Sequence, residues 1–178
     1  MIAALLHRAA QRFQRRYDYD GSYMHEVIDA STGAGLRLAG FSMLSQYRGP
    51  APQVWAGALL ASTLDGNCGP CAQLVIDMAI EAGADPARLR ACATGRADQA
   101  GATGLGFRFA RAAIAGTPEA DELRGQIAAK YGPQAVVAAG FAAASGRMYP
   151  VLKRSLGHGA SCQKLDFGGT ETVLDGAA

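Results

Sequence analysis

Long apolar runs, β-branched residues and excess charge of either sign are all scarce in this chain, and each shortage excludes something. No apolar run approaches the roughly 20 residues needed to cross a bilayer as a helix. Lysine plus arginine number 17 against 15 aspartates plus glutamates, a net charge of +2. That balance gives no reason to invoke nucleic acid or an acidic substrate. Few valines, isoleucines and threonines stand against abundant alanine and 23 glycines, which favours closely packed helices over sheet. Residues 1–20 lack the apolar stretch and small-residue cleavage site of a secretory signal, so a cytoplasmic protein is expected. At 178 residues the chain is long enough for one compact domain with a sizeable core.

Within this helix-forming background the most informative stretch is DGNCGPCAQLVIDMAIEAG, residues 65–83. It places Cys68 and Cys71 at C-x-x-C spacing at the head of an amphipathic helix. Such a pair can close an intramolecular disulfide, and a helix N-terminus stabilises a thiolate. In a reducing compartment the spacing points to catalysis or metal binding rather than a structural staple. Asp65 or Asn67 is a candidate N-cap, Pro70 suits the first turn, and Gly83 supplies a stop. At about 100° per residue Cys71 shares a face with Val75, Met78 and Ala82, whereas Gln73, Asp77 and Glu81 form the polar stripe. Asp77 lies too far around the wheel to accept a proton from either thiol. The competing reading is two buried cysteines packing as small hydrophobes.

Periodicity predicts helices elsewhere too. Residues 2–17 pattern Ile2, Leu5, Leu6, Ala9 and Phe13 on one face and His7 with four arginines on the rest. Such a helix covers the core or a subunit neighbour, or touches a membrane surface. Helices are further expected at 22–30, from Ser31 or Thr32 to about Tyr47, at 53–64 as a buried element, at 86–92, 104–115, 118–130 and 133–156. Residues 93–106, rich in glycine, alanine and threonine, read as a loop. The tail from Gly157 reads as irregular, and no strand is expected anywhere.

Other chemistry-bearing side chains are few. His25, in SYMHEVID, is a remote base if its helix packs over the cysteines, and otherwise an exposed helix residue. Tyr17, Tyr19 and Tyr23 each offer a hydroxyl, or simply packing. His158 and Cys162 could join Cys68 and Cys71 in a structural zinc site if all four converge. Cys92 is read as a plain core or surface thiol. The glycines at 101–106 follow no strand, so no nucleotide-cradling loop and no cofactor are expected.

A long apolar helix followed by N-C-x-x-C at the head of a second amphipathic helix resembles the alkylhydroperoxidase AhpD-like and carboxymuconolactone decarboxylase superfamily. The resemblance spans about residues 52–157 and takes in FRFARAAIAG and AVVAAGFAAASGRMYPVLKRSLG. It implies an all-α, AhpD-like helical bundle (residues 51–157), carrying an N-terminal helical extension (1–50) and a C-terminal tail (158–178). It also implies a homo-oligomer, trimer or hexamer, with redox-active Cys68 and Cys71 reduced by a thiol protein or a small dithiol. By the resemblance Cys71 attacks and Cys68 resolves; the Gly-Pro insert, shared with thioredoxins, suggests the opposite order. In peroxidase-type members a glutamate twelve residues before the first cysteine and a histidine four after the second relay the proton. The matching positions here are Ala56 and Val75, which carry no proton. The alternative to hydroperoxide reduction is a non-enzymatic helical scaffold or redox-sensing interaction protein.

Overall fold

The computed structural model describes residues 1–158 and 164–174. It is an all-α fold with one minor hairpin. The N-terminal segment forms α1 (Ile2–Tyr17), α2 (Ser22–Ala30) and α3 (Thr32–Ser45). The core follows as α4 (Pro52–Asp65), α5 (Gly69–Glu81), α6 (Pro86–Ala93), α7 (Gly101–Ala115), α8 (Glu119–Tyr131), α9 (Pro133–Ser145) and α10 (Met148–Ser155).

QVWAGALLASTL is apolar on every side, and a helix of that kind has to be surrounded. Accordingly α4 is the central element, buried continuously from Val54 to Thr63. Helices α7 and α9 lie against it, with α5 and α6 at its edge. The α4–α7 contact is a backbone-to-backbone approach. A Cβ on Gly57 would overlap the Thr103 carbonyl oxygen, and one on Gly106 would overlap the Val54 carbonyl oxygen. Ser62 donates to the Ala143 carbonyl at 2.6 Å, joining α4 to α9, and Trp55 Nε1 donates to the Ser45 carbonyl at 2.6 Å, joining α4 to α3.

Three sequence expectations need correction. The stretch 93–106 is not all loop: a short 3-10 turn at Ala97–Gln99 leads into α7, which starts at Gly101. Glycine lowers helix propensity, but Gly104 and Gly106 are what allow α7 to seat against its neighbours, so packing overrides propensity here. The helix expected over 133–156 is broken at Gly146 and Arg147, where a Cβ on Gly146 would lie 2.7 Å from that of Ser62. The tail contains β1 (Lys164–Asp166) paired antiparallel with β2 (Glu171–Val173), strands too short to produce a period-2 signal. This hairpin buries Leu165 and Phe167, and both sides of its Asp166 peptide bond to the Gln73 amide of α5, at 2.7 and 2.9 Å.

Contrary to the expectation that no stretch is long enough to span a bilayer, residues 133–155 suffice by length and composition. In the fold they are α9 and α10, and α9 packs Ala135, Ala138, Ala139 and Ala142 into the protein core.

Candidate functional site

Cys68 occupies the N-cap of α5 and Cys71 its third helical position, so both sulfurs sit at the positive end of that helix. The two sulfurs lie within bonding distance, with Cα atoms 5.3 Å apart. Neither expected cap residue performs that role. Asp65 ends α4 and pairs with Arg147 at 2.9 Å, while Asn67 takes a left-handed backbone (φ 49°) that turns the chain into α5. From α10, Arg154 donates to the Gly66 carbonyl at 2.8 Å and braces this turn.

Both cysteines are nearly inaccessible to bulk water, at 6% and 3% exposure. Cys71 instead lines a half-open cavity of about 340 Å³ between the N-terminal helices and the core. Its floor includes Leu74, Val75 and Met78 of α5; Val75 and Met78 are on the face expected from the helical wheel, whereas Ala82, expected beside them, does not line it. The roof is the N-terminal segment: Leu6 and Phe13 of α1, Met24 and Ile28 of α2, and Leu38 of α3. Polar contacts at two places hold α1 down. His7 meets His25 Nδ1-to-Nδ1 at 2.7 Å and Asp29 at 3.0 Å, and at the C-terminal end Arg16 and Tyr17 both bind Glu81.

Among the three tyrosines noted in the sequence, Tyr19 reaches the site. Its hydroxyl lies 3.7 Å from Cys71 Sγ. In the disulfide only the hydroxyl has a hydrogen to give, so Tyr19 donates to sulfur. Burial pushes its own ionisation up to about 12, which keeps it a donor throughout the neutral range. Tyr23 is buried beside it, edge-on with ring centroids 6.5 Å apart, and Tyr17 is committed to Glu81. His25 is occupied by His7 and by Gln14 Oε1 at 2.8 Å, and it does not line the cavity. At the positions of the missing relay, Ala56 is packed in α4 and Val75 is a cavity wall.

One participant is invisible in the sequence. Lys153 of α10, only 2% exposed, places its ammonium 4.6 Å from the centre of the Tyr19 ring and 5.4 Å from that of Tyr23. It donates to the Asp20 carbonyl at 3.3 Å. A cation over a phenol ring draws electron density from the hydroxyl and strengthens it as a donor. Burial pulls the Lys153 pKa below its ordinary value, opposed by Asp20. For a cationic group this means that folding below its folded pKa carries a desolvation cost, a cost that fades as pH rises through that value. Lys153→Met is therefore expected to leave the thermal midpoint unchanged or slightly raised at neutral pH, while slowing reactions of the reduced Cys71. Melts at neutral pH and rates of thiol oxidation check the two halves separately; a large drop in midpoint would contradict the first.

Cys92 is buried, and desolvation pushes its thiol up to about 12, in keeping with an inert core cysteine. Of the zinc set, Cys162 lies outside the described residues and His158 bonds Glu26 at 2.7 Å; among the described residues no group of three or more histidine, cysteine and acidic side chains could hold a metal ion. Neither family models, curated proteins nor solved structures match the chain.

Proposed function

We propose that this protein is an AhpD-like thiol oxidoreductase of the cytoplasm that cycles Cys68 and Cys71 between dithiol and disulfide, with an organic hydroperoxide as oxidant. The observation that carries the reading is the placement of Cys71: at a helix N-terminus, on a cavity wall, and beside a hydroxyl that can donate to its thiolate. A helix N-terminus and a donor hydroxyl both favour thiolate over thiol. With Ala56 and Val75 at the relay positions, these are the two features beside Cys71 that bear on its proton chemistry.

In the reaction the Cys71 thiolate attacks the peroxide oxygen. A sulfur–oxygen bond forms, the O–O bond breaks, and the departing alkoxide takes a proton to become an alcohol. Cys68 sulfur then attacks the resulting sulfenic acid, forming the disulfide and releasing water. A reduced thiol protein or a small dithiol returns two electrons and two protons by thiol–disulfide exchange. Cys71 is the attacking residue in this scheme because it, and not Cys68, lines the cavity.

Peroxide consumption coupled to a dithiol donor should fall to background in Cys71→Ser. With no donor present, Cys68→Ser should consume one equivalent of peroxide and stop, its sulfenic acid persisting for want of a resolving thiol. Wild-type turnover in a variant lacking both cysteines would refute the reading and leave the helical scaffold in its place. The proposal extends to a homo-oligomer, trimer or hexamer. It is supported by exposed Phe41, Met43 and Leu44 on α3 and exposed Val137 and Phe141 on α9, with the Tyr47 and Phe141 rings 6.0 Å apart.

A further inference from the structure

We infer that the cavity beneath α1–α3 binds an uncharged, predominantly apolar small molecule that carries a single polar group, with that group directed at Tyr19 and Cys71. The volume, about 340 Å³, lies within the roughly 300–1,000 Å³ range of small-molecule sites. It admits on the order of ten or more non-hydrogen atoms at about 30 Å³ each.

The walls decide the chemistry. Among the described residues, no aspartate, glutamate, lysine, arginine or histidine lines the space. A carboxylate, phosphate or ammonium entering it would lose its water and meet no counter-charge, which costs far more than apolar burial returns. The side chains facing one another across the cavity are instead Leu6 and Phe13 from above and Leu74, Val75 and Met78 from below. Methionine and leucine walls adapt to chains of varied shape. Tyr19, Tyr23 and Tyr149 line the cavity along with the Cys71 sulfur. Tyr149 is itself engaged with Ser45 at 3.4 Å, whereas Tyr19 points at Cys71. Ser42, Ser45, Gln46 and Thr63 line the space as well, but the three hydroxyls among them each donate to a backbone carbonyl, so the Tyr19–Cys71 pair is the polar docking point that coincides with the sulfur proposed to react.

The roof comes from residues 1–50, outside the stretch that carries the family resemblance, so the ligand class is a property of this chain's own extension. The inference deepens the redox reading by naming the kind of substrate, but binding requires no turnover, and the test exploits this. In the Cys68→Ser/Cys71→Ser protein, the uncharged fluorophore N-phenyl-1-naphthylamine should bind saturably with one site per chain. 1-Decanol should displace it, and decanoate at neutral pH should do so about tenfold less well or worse, because its charge has no partner in the cavity.

Two cavity-filling variants, Ala10→Phe and Ala39→Phe, should each reduce fluorophore affinity about tenfold or more, with circular dichroism confirming the helical fold; Ala39 is the more exposed and the safer of the two. Equal displacement by decanol and decanoate, or undiminished binding in a folded cavity-filled variant, would overturn the inference. Saturable, charge-discriminating binding without any peroxide turnover in the wild type would uphold it and sink the redox proposal. Turnover of hydrogen peroxide without apolar binding would do the reverse.

Discussion

Gly106→Ala is expected to lower the thermal midpoint by about 6–12 °C or more, and Gly57→Ala to do much the same. A Cβ at position 106 would overlap the Val54 carbonyl oxygen and come within 2.9 Å of its Cα; at position 57 it would overlap the Thr103 carbonyl oxygen and come within 2.9 Å of the Phe107 nitrogen. These neighbours are backbone atoms of the two most deeply packed helices, so no side chain can swing aside to make room. Overpacking a core costs about 1–3 kcal/mol when side chains can adjust. With only backbone to move, α4 and α7 must separate, and a cost of about 3 kcal/mol or more follows. At roughly 2–4 °C per kcal/mol for a domain of this size, that amounts to the stated shift. Gly125→Ala supplies the opposite sign. Gly125 is exposed in the middle of α8 with nothing within 4 Å of its added Cβ, so alanine should stabilise by about 0.5–1 kcal/mol. Thermal melts of the three variants check both directions. A midpoint for Gly106→Ala within a degree of wild type would mean that the α4–α7 approach is not this close.

Tyr19→Phe is expected to slow oxidation of the reduced protein by about tenfold or more without loosening the fold. The ring makes the packing contacts, edge-on to Phe13 and Tyr23 and under the Lys153 ammonium, and phenylalanine preserves all of them. Only the hydroxyl is lost, and with it the hydrogen bond to Cys71 sulfur and the interaction with the Tyr23 hydroxyl. A hydrogen bond to a charged group is worth about 1.5–3 kcal/mol, which corresponds to a factor of roughly 10 to 100 in the thiolate population that attacks. The rate–pH profile carries the sign. Tyr19 stays protonated up to about 12, so it donates across the working range and favours thiolate there. Removing it should move the rising limb of the profile toward higher pH. Tyr19→Leu, which also loses the ring, should lower both the rate and the thermal midpoint. An unchanged profile in Tyr19→Phe would remove the hydroxyl from the mechanism.

The sequence disclosed unequal shares of this arrangement, for physical reasons. Amphipathic periodicity located α1, α2 and α5 to within a residue or two, although α1 buries its apolar stripe only in part: Leu6 and Phe13 are half-buried, while Ile2 and Leu5 stay exposed. The wheel of α5 likewise put Cys71 with Val75 and Met78, and all three line the cavity. The start of α7 was hidden because glycine signals a loop by propensity and a helix–helix crossing by packing, and only the three-dimensional partner separates the two. Tyr19 could be named as one of three hydroxyls, but its contact with Cys71 spans 52 positions and depends on how α1 and α2 fold back over α5. Lys153 was illegible altogether, since a lysine within YPVLKRSLG looks like any solvated helix residue. The polar stripe of α5 was legible as polar, though not as the fastening it is: Glu81 holds the end of α1 and Gln73 holds the hairpin.

These observations converge on one claim, that Cys68 and Cys71 form a reversible redox pair served by the cavity above Cys71. Its most direct test is to reduce the protein fully, add one equivalent of cumene hydroperoxide, and map the cysteine peptides by mass spectrometry. The account predicts loss of two hydrogens confined to a Cys68–Cys71 disulfide, reversed by a dithiol, with Cys92 still a free thiol. Both thiols persisting reduced, or oxidation falling first on Cys92, would contradict it.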